Sequence, residues 1–281
     1  MVITSTSTSC ILIPIHPKHY HYIYDLIKAN NAPFPIYLIF SDHNDVKQFN
    51  TELLQEGRYM HFVLEDIMPL SNDLRRLFDN RRSWINVKKL QGLKHLYETT
   101  TYDHIIVIDA EIKFLTFTAG AEALIKKSVD TKTILGTDNY NRRLASAINR
   151  STINILPQTW EPKLLALTSQ TQYIAWWSTI PIYERQYISG FLASLRPDYI
   201  TQLDYHSFDF IIYYLYLAYF EYVTLKRLPF SIELAYTINE FDIISKDNLV
   251  LWVNSRMYHT NPSYFNSKPE LLLVFHLDRM R

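Results

Sequence analysis

Asp109 and Glu111 are the residues whose types and spacing point most directly to chemistry: two carboxylates, separated by Ala110, at the end of the apolar run Ile105-Ile106-Val107-Ile108. Such a pair can share one hard divalent cation through its oxygens, and a cation held that way can carry a diphosphate. An acid after a strand also has a plain structural use, capping the next helix or turning the chain into solvent. The position of the pair in the fold decides between the two.

The run before Asp109 is β-branched and apolar on consecutive residues, the pattern of a strand buried on both faces in a parallel sheet. Ligands of open α/β sheets bind beyond the carboxyl ends of such strands. A first short strand is expected over residues 10–15, closing on Pro14 and Ile15 and followed by His16-Pro17-Lys18-His19. Tyr20, Ile23, Tyr24 and Ile27 then recur at helical spacing, with Pro17 near the helix start. A second strand over 35–40 closes with Ser41-Asp42. Strand, helix and strand in that order imply a right-handed parallel unit. The three histidines His16, His19 and His21 are poorly spaced for a metal.

Between the second strand and the acidic one, Ile85, Leu90, Leu93 and Leu96 mark one face of a helix that Ser83 is placed to cap. Lys88 and Lys89 lie near its start, within reach of an anion held beside Asp109, and one of them, Lys88 or Lys89, is the candidate contact for a phosphate or ribose. The competing reading makes the lysines and the arginines from Arg75 to Arg82 a solvated face.

Composition excludes several classes. Among 281 residues, 28 basic and 28 acidic side chains cancel, so no basic footprint for nucleic acid or an anionic membrane is present. Five scattered glycines build neither a phosphate-binding loop nor a dinucleotide fingerprint. The single Cys10 excludes an intrachain disulfide and fits a reducing compartment. The longest apolar run, residues 210–220, is about half the length of a membrane span. With an amino-terminal stretch broken by Pro14, the expectation is a cytoplasmic protein with no transmembrane segment. Tyrosine is abundant, 21 in all, and suits both core packing and contact with sugar rings or bases.

The apolar first strand turning at Pro14-Ile15-His16, the lysine-bearing helix, and the strand ending in Asp109-Ala110-Glu111 together resemble the nucleotide-sugar glycosyltransferases of the GT-A fold. The resemblance covers residues 9–140 well and the remainder loosely. It implies an α/β chain with a central, mostly parallel twisted sheet flanked by helices. It also implies one glycosyltransferase domain over 1–281, with a donor half to about residue 140 and an acceptor half beyond. Mn²⁺ or Mg²⁺ at Asp109 and Glu111 would bridge the diphosphate of a UDP-sugar, with Pro14, Ile15, His16 and Asp42 around the base. Glu111 stands where the family more often has a second Asp. More narrowly, the chain resembles small glycosyltransferases of large algal DNA viruses, some likened to exostosins and assigned pentose transfer, which would make UDP-xylose the donor.

The reaction so implied moves a sugar to a hydroxyl of a glycan or glycoprotein, with inversion the first expectation and retention its alternative. An inverting step needs a carboxylate to take the acceptor proton, and Asp209, just before the apolar stretch Phe210-Ile211-Ile212, is the candidate base; Asp204 and Glu184 are its rivals. Helix capping is the competing role for Asp209. Some members of the family complete the metal site with a late histidine, which makes His276 a candidate ligand, with His259 behind it. Trp176 or Trp177 is a candidate platform for an acceptor sugar, and residues 139–160, without strong apolar periodicity, read as surface helix and loop. A carbohydrate-binding protein without turnover is the alternative from another class.

Overall fold

The computed structural model describes residues 7–54, 58–114, 120–136, 142–171, 180–230, 237–253 and 255–276. Its centre is a five-stranded sheet of β1 (Ser9–Pro14), β2 (Ile36–Phe40), β3 (Tyr59–Val63), β4 (His104–Val107) and β7 (Ile182–Glu184) in the order β3-β2-β1-β4-β7. The first four strands are mutually parallel and β7 runs antiparallel to β4. The two smaller sheets use β5 (Ile112–Phe114), β6 (Thr133–Gly136), β8 (Thr224–Arg227), β9 (Val250–Val253) and β10 (Leu272–His276) in the orders β5-β10-β9 and β6-β8. The expected α/β architecture, a mostly parallel central sheet flanked by helices, is what the chain adopts.

The β-branched runs explain the central strands. Along β1, Cys10 and Leu12 enter one core while Ile11 and Ile13 enter the other, and along β4 Ile105 and Val107 alternate with Ile106 in the same way. Both faces are therefore covered. Helices Trp84–Thr99 and Asp209–Tyr219 pack on one side, and helix Tyr20–Ala29 with helix Ala121–Asp130 on the other.

Sheet order has a consequence for function. The chain steps from β1 outward to β2 and β3, then returns to place β4 on the other side of β1. Successive connections thus leave β1 and β4 in opposite directions, and the crevice between their carboxyl ends is where open α/β sheets hold ligands. The acidic pair follows the end of its strand: register pairing with β1 runs to Val107, and the chain turns through Asp109-Ala110-Glu111 into β5 of a different sheet. Residues 142–153, read from sequence as part of a surface helix and loop, form a helix, Arg142–Ile153, but one that buries Ala145, Ile148, Thr152 and Ile153. Among the described residues no helix is long and apolar enough to cross a membrane.

Candidate active site at the sheet switch point

The loops after β1 and β4 meet at the crevice. His19 Nε2 lies 2.8 Å from Glu111 Oε1, with both side chains only about a tenth exposed. His16 caps a short turn, Pro17–His19, by accepting from the Lys18 backbone N–H, and that turn delivers His19 to the crevice. The sequence reading set His19 aside as poorly spaced for a metal. Its role comes from its place after the first strand, a signal that spacing alone does not carry.

Asp109 is the accessible member of the acidic pair, its side chain 38% exposed. Its Oδ1 lies 3.0 Å from Lys89 Nζ, and the same ammonium lies 3.4 Å from Asp209 Oδ1. Tyr183 donates its hydroxyl to Asp209 Oδ2 at 2.5 Å. Burial alone works against the Lys89 charge, but the carboxylates of Asp109 and Asp209 outweigh it and hold the ammonium above its ordinary range. A buried chain from Tyr183 through Asp209 and Lys89 thus ends on an exposed carboxylate.

Asp209 is corrected on both counts by this geometry. At 1% exposure, with its oxygens turned to Lys89 and Tyr183, it offers no path to an acceptor hydroxyl, so it is not placed as a base. Nor does it cap its helix, because the cap position is Phe208 and no side-chain cap bond forms. The rivals fare no better. Glu184 pairs in register with His104 at the amino-terminal start of β4, the far end of the sheet, where Lys132 holds it at 2.8 Å. A cavity of about 60 Å³ lined in part by Lys132 and Glu184 belongs to that far end. Asp204 is engaged by the Ser151 hydroxyl, the Ser207 hydroxyl and the His206 backbone N–H.

Lys88 also differs from expectation. It is fully buried, donating to the Ile15 carbonyl and, at 3.0 Å, to the Ser41 hydroxyl. It therefore ties the carboxyl ends of β1 and β2 together and does not face a phosphate. Burial pulls its ammonium down to about 8, against the opposing pull of Asp45 and Asp42. The solvated-face reading fails for both lysines, though Arg76 and Lys94 of this region are exposed. Ser83 occupies the helix cap position without a side-chain cap bond.

The residues expected around a base are brought to one end of the sheet, but with different exposures. Pro14 and Ile15 are buried, and Ile15 extends the ladder by donating to the Ile39 carbonyl at 3.1 Å. His16 is exposed as a residue, but the groups packed around its imidazole partly desolvate it, and that desolvation with the charges of Lys88, His19 and Lys18 holds it below its ordinary range. Asp42 caps helix His43–Gln48 through the Asn44 and Asp45 backbone N–H groups and pairs with Arg75 at 3.1 Å, which is structural work.

Donor chemistry at the acidic pair fits a divalent cation. Carboxylate oxygens suit Mg²⁺ or Mn²⁺, and Mg²⁺ asks for only one or two carboxylates beside phosphates and water. Among the described residues no group of three or more His, Cys, Asp or Glu side chains forms a ready-made cage. His276 pairs in register with Ile112 across the β5–β10 ladder, one residue from Glu111, and its side chain is outside the described residues. His259 is exposed, its ring edge-on to Phe275. Trp176 and Trp177 lie outside the described residues.

No protein-family model matches the chain, and no curated protein matches it. Solved structures similar to it include the mannosyltransferase Ktr4p of S. cerevisiae, at 9% identity and a TM-score of 0.36, over 72% of this chain and 62% of that one. Core-mannan synthase A of Aspergillus fumigatus in a Mn/GDP form matches at 8% identity and 0.36, over 79% and 68%. Ktr4p with GDP matches at 11% and 0.30, over 79% and 64%. The chain spans 62–68% of the length of these structures. At these scores the likeness is loose, and the functional reading rests on the chain's own residues.

Proposed function

We propose that this chain is a glycosyltransferase that takes a sugar from a nucleoside diphosphate donor, a UDP-sugar such as UDP-xylose in the first instance, and passes it to a glycan hydroxyl. The observation that carries the reading is the exposed Asp109 carboxylate, oriented by buried Lys89 at the switch point of a parallel sheet. Asp109 and Glu111, with His276 beside them, are the residues that would hold a divalent cation. When bound, such a cation stabilises charge gathering on a leaving diphosphate. The protein's share is positioning: Lys89 fixes Asp109, His19 fixes Glu111, and Lys88 holds the β1 and β2 loops where a base would lie. Preorganisation of this kind acts at low dielectric, where each contact weighs more than in water.

Stereochemistry is the point on which the geometry shifts the balance. The carboxylates weighed as bases for an inverting step are buried, at the far end of the sheet, or engaged in a turn. That favours the retaining alternative, in which no second-half carboxylate needs to take the acceptor proton. Calorimetric titration of UDP- and GDP-sugars with and without Mn²⁺, against the native chain and Asp109→Ala and Glu111→Ala, tests the donor site. Metal-dependent binding of one nucleotide sugar, lost in both variants, is the expected result. If nothing binds, or if binding ignores both metal and substitutions, the transferase reading gives way to a carbohydrate-binding protein. The anomeric configuration of the product, read by proton NMR, decides retention against inversion.

A further inference from the structure

The far end of helix Asp209–Tyr219, about 15 Å from Asp209 along the helix axis, carries a second feature unrelated to the acidic site. Phe220 and Tyr222 are large aromatic residues left 44% and 40% exposed. Their rings are near-parallel, 5.7 Å apart at 21°, and Tyr187 continues the row beyond Tyr222 at 4.7 Å and 22°. Trp160 supports Phe220 edge-on at 5.3 Å and is itself stacked on Tyr219 at 4.1 Å.

The backbone presents this row by an unusual device. Glu221 has a φ of 60°, the left-handed conformation that glycine normally supplies at a helix end. Its N–H donates to the Ala218 carbonyl and that of Tyr222 to the Leu217 carbonyl, the paired bonds of a Schellman closure. In that closure the residue after the left-handed one usually packs back on the helix; Tyr222 does so through a tilted contact with the Tyr216 ring at 6.2 Å, and the rest of its ring stays open to solvent beside Phe220. The charges nearby are already matched: Lys163 with Glu221 at 2.9 Å and Lys132 with Glu184 at 2.8 Å. Those ammonium groups also lie over the Tyr219 and Tyr187 rings.

We infer that the Tyr187–Tyr222–Phe220 row is a binding surface for a neutral polysaccharide, separate from the donor site. Two arguments select that occupant. Aromatic side chains carry roughly 150–250 Å² each, so the open parts of Phe220 and Tyr222 sum to on the order of 200 Å². A stable protein interface takes about 800 Å² per partner, so a second copy of the chain is poorly served, while one or two sugar rings are covered. Rigid, mutually stacked rings with paired charges suit the apolar faces and neutral hydroxyl edges of a sugar and offer no net charge for an anionic partner. The surface stands on its own geometry and does not depend on the transferase reading.

Native electrophoresis through gels containing soluble mannan, glucan or xylan tests it, together with titration of the matching hexasaccharides while following tryptophan fluorescence. At least one polysaccharide is expected to retard the chain. Affinity should fall about tenfold in Tyr222→Ala and, separately, in Phe220→Ala, the scale of losing one stacking partner. Tyr222→Phe should keep it, and Asp109→Ala should leave it unchanged. Because each substitution is read separately, a folding defect in one variant leaves the other to decide. Retardation by none of the three polymers, native affinity kept in both alanine variants, loss in Asp109→Ala, or self-association in sedimentation velocity that Tyr222→Ala abolishes would each overturn the assignment.

Discussion

Lys88 and Lys89 are neighbours on one helix, both buried, and their ammonium groups serve opposite halves of the site. Lys88 meets only neutral oxygens, the Ile15 carbonyl and the Ser41 hydroxyl, at the ends of β1 and β2. Lys89 meets two carboxylates, Asp109 after β4 and Asp209 on the neighbouring helix. Adjacent helix positions diverge by about 100° around the axis, so one turn of one helix braces both sides of the crevice. The same burial therefore has opposite results, lowering one ammonium and leaving the other held above its ordinary range.

Lys89→Met leaves Asp209 buried without its cation, and removing one partner of a buried pair costs about 3–5 kcal/mol. Asp209→Asn alone should cost less, because Lys89 keeps Asp109 and the Tyr183 hydroxyl keeps an acceptor. The double variant should lose less stability than the sum of the singles. Urea unfolding of the four proteins gives the coupling directly; additive losses would mean that the two residues do not act as a pair.

Lys88 gives a pH signature whose sign follows from its lowered value, about 8 against an ordinary 10.5. Between those values the unfolded chain holds the proton and the folded chain releases it. Stability from this group therefore rises with pH across that window. The full effect is about 3 kcal/mol, and Lys88→Met should lack it. The test is the difference in unfolding free energy between native chain and variant, measured near the bottom and near the top of the window. A difference that stays flat would contradict a buried Lys88 that gives up its proton in the folded chain across that window.

The central strands were legible because their apolar runs carry the physical reason for burial on both faces, as Ile11 and Ile13 against Cys10 and Leu12 illustrate. The acidic pair was legible for the same reason, since it follows such a run. What the sequence hid are partnerships set by sheet order: His19 with Glu111 and Tyr183 with Asp209 join segments remote in sequence. Asp209 read as base or cap because only its helix start is local information; the ammonium that claims it lies on another helix. The buried face of helix Arg142–Ile153 escaped because Ala145 and Thr152 make up part of its stripe, which weakens the apolar period.

His19→Ala should loosen the crevice from the β1 side. Glu111, with its side chain 10% exposed, would lose its nearest nitrogen partner, and an unsatisfied buried group of this kind costs about 1–3 kcal/mol. His19→Gln, which still offers an N–H, should recover part of that loss. Thermal unfolding reads the stability, and the nucleotide-sugar titration reads whether donor affinity falls in step. Equal stability of the native chain and His19→Ala would show that the His19–Glu111 contact contributes nothing.

Glycine positions give an ordered test of the packing that carries the second helix. At Gly190, in helix Arg185–Ser194, an added Cβ would press on the hydroxyl of Tyr216, a side chain only 4% exposed on helix Asp209–Tyr219. At Gly92 the nearest atom is the Leu12 Cδ2 at 2.9 Å, the end of a more adaptable side chain. At Gly120 nothing lies within 4 Å. Alanine in a helix interior gains about 0.5–1 kcal/mol over glycine, whereas overpacking a tight core costs about 1–3 kcal/mol. Collision should win at Gly190, the two effects should nearly cancel at Gly92, and Gly120→Ala should be close to neutral. Chemical denaturation of the three alanine variants checks the order; a Gly190→Ala protein as stable as the native chain would mean that these two helices pack less closely than the geometry describes.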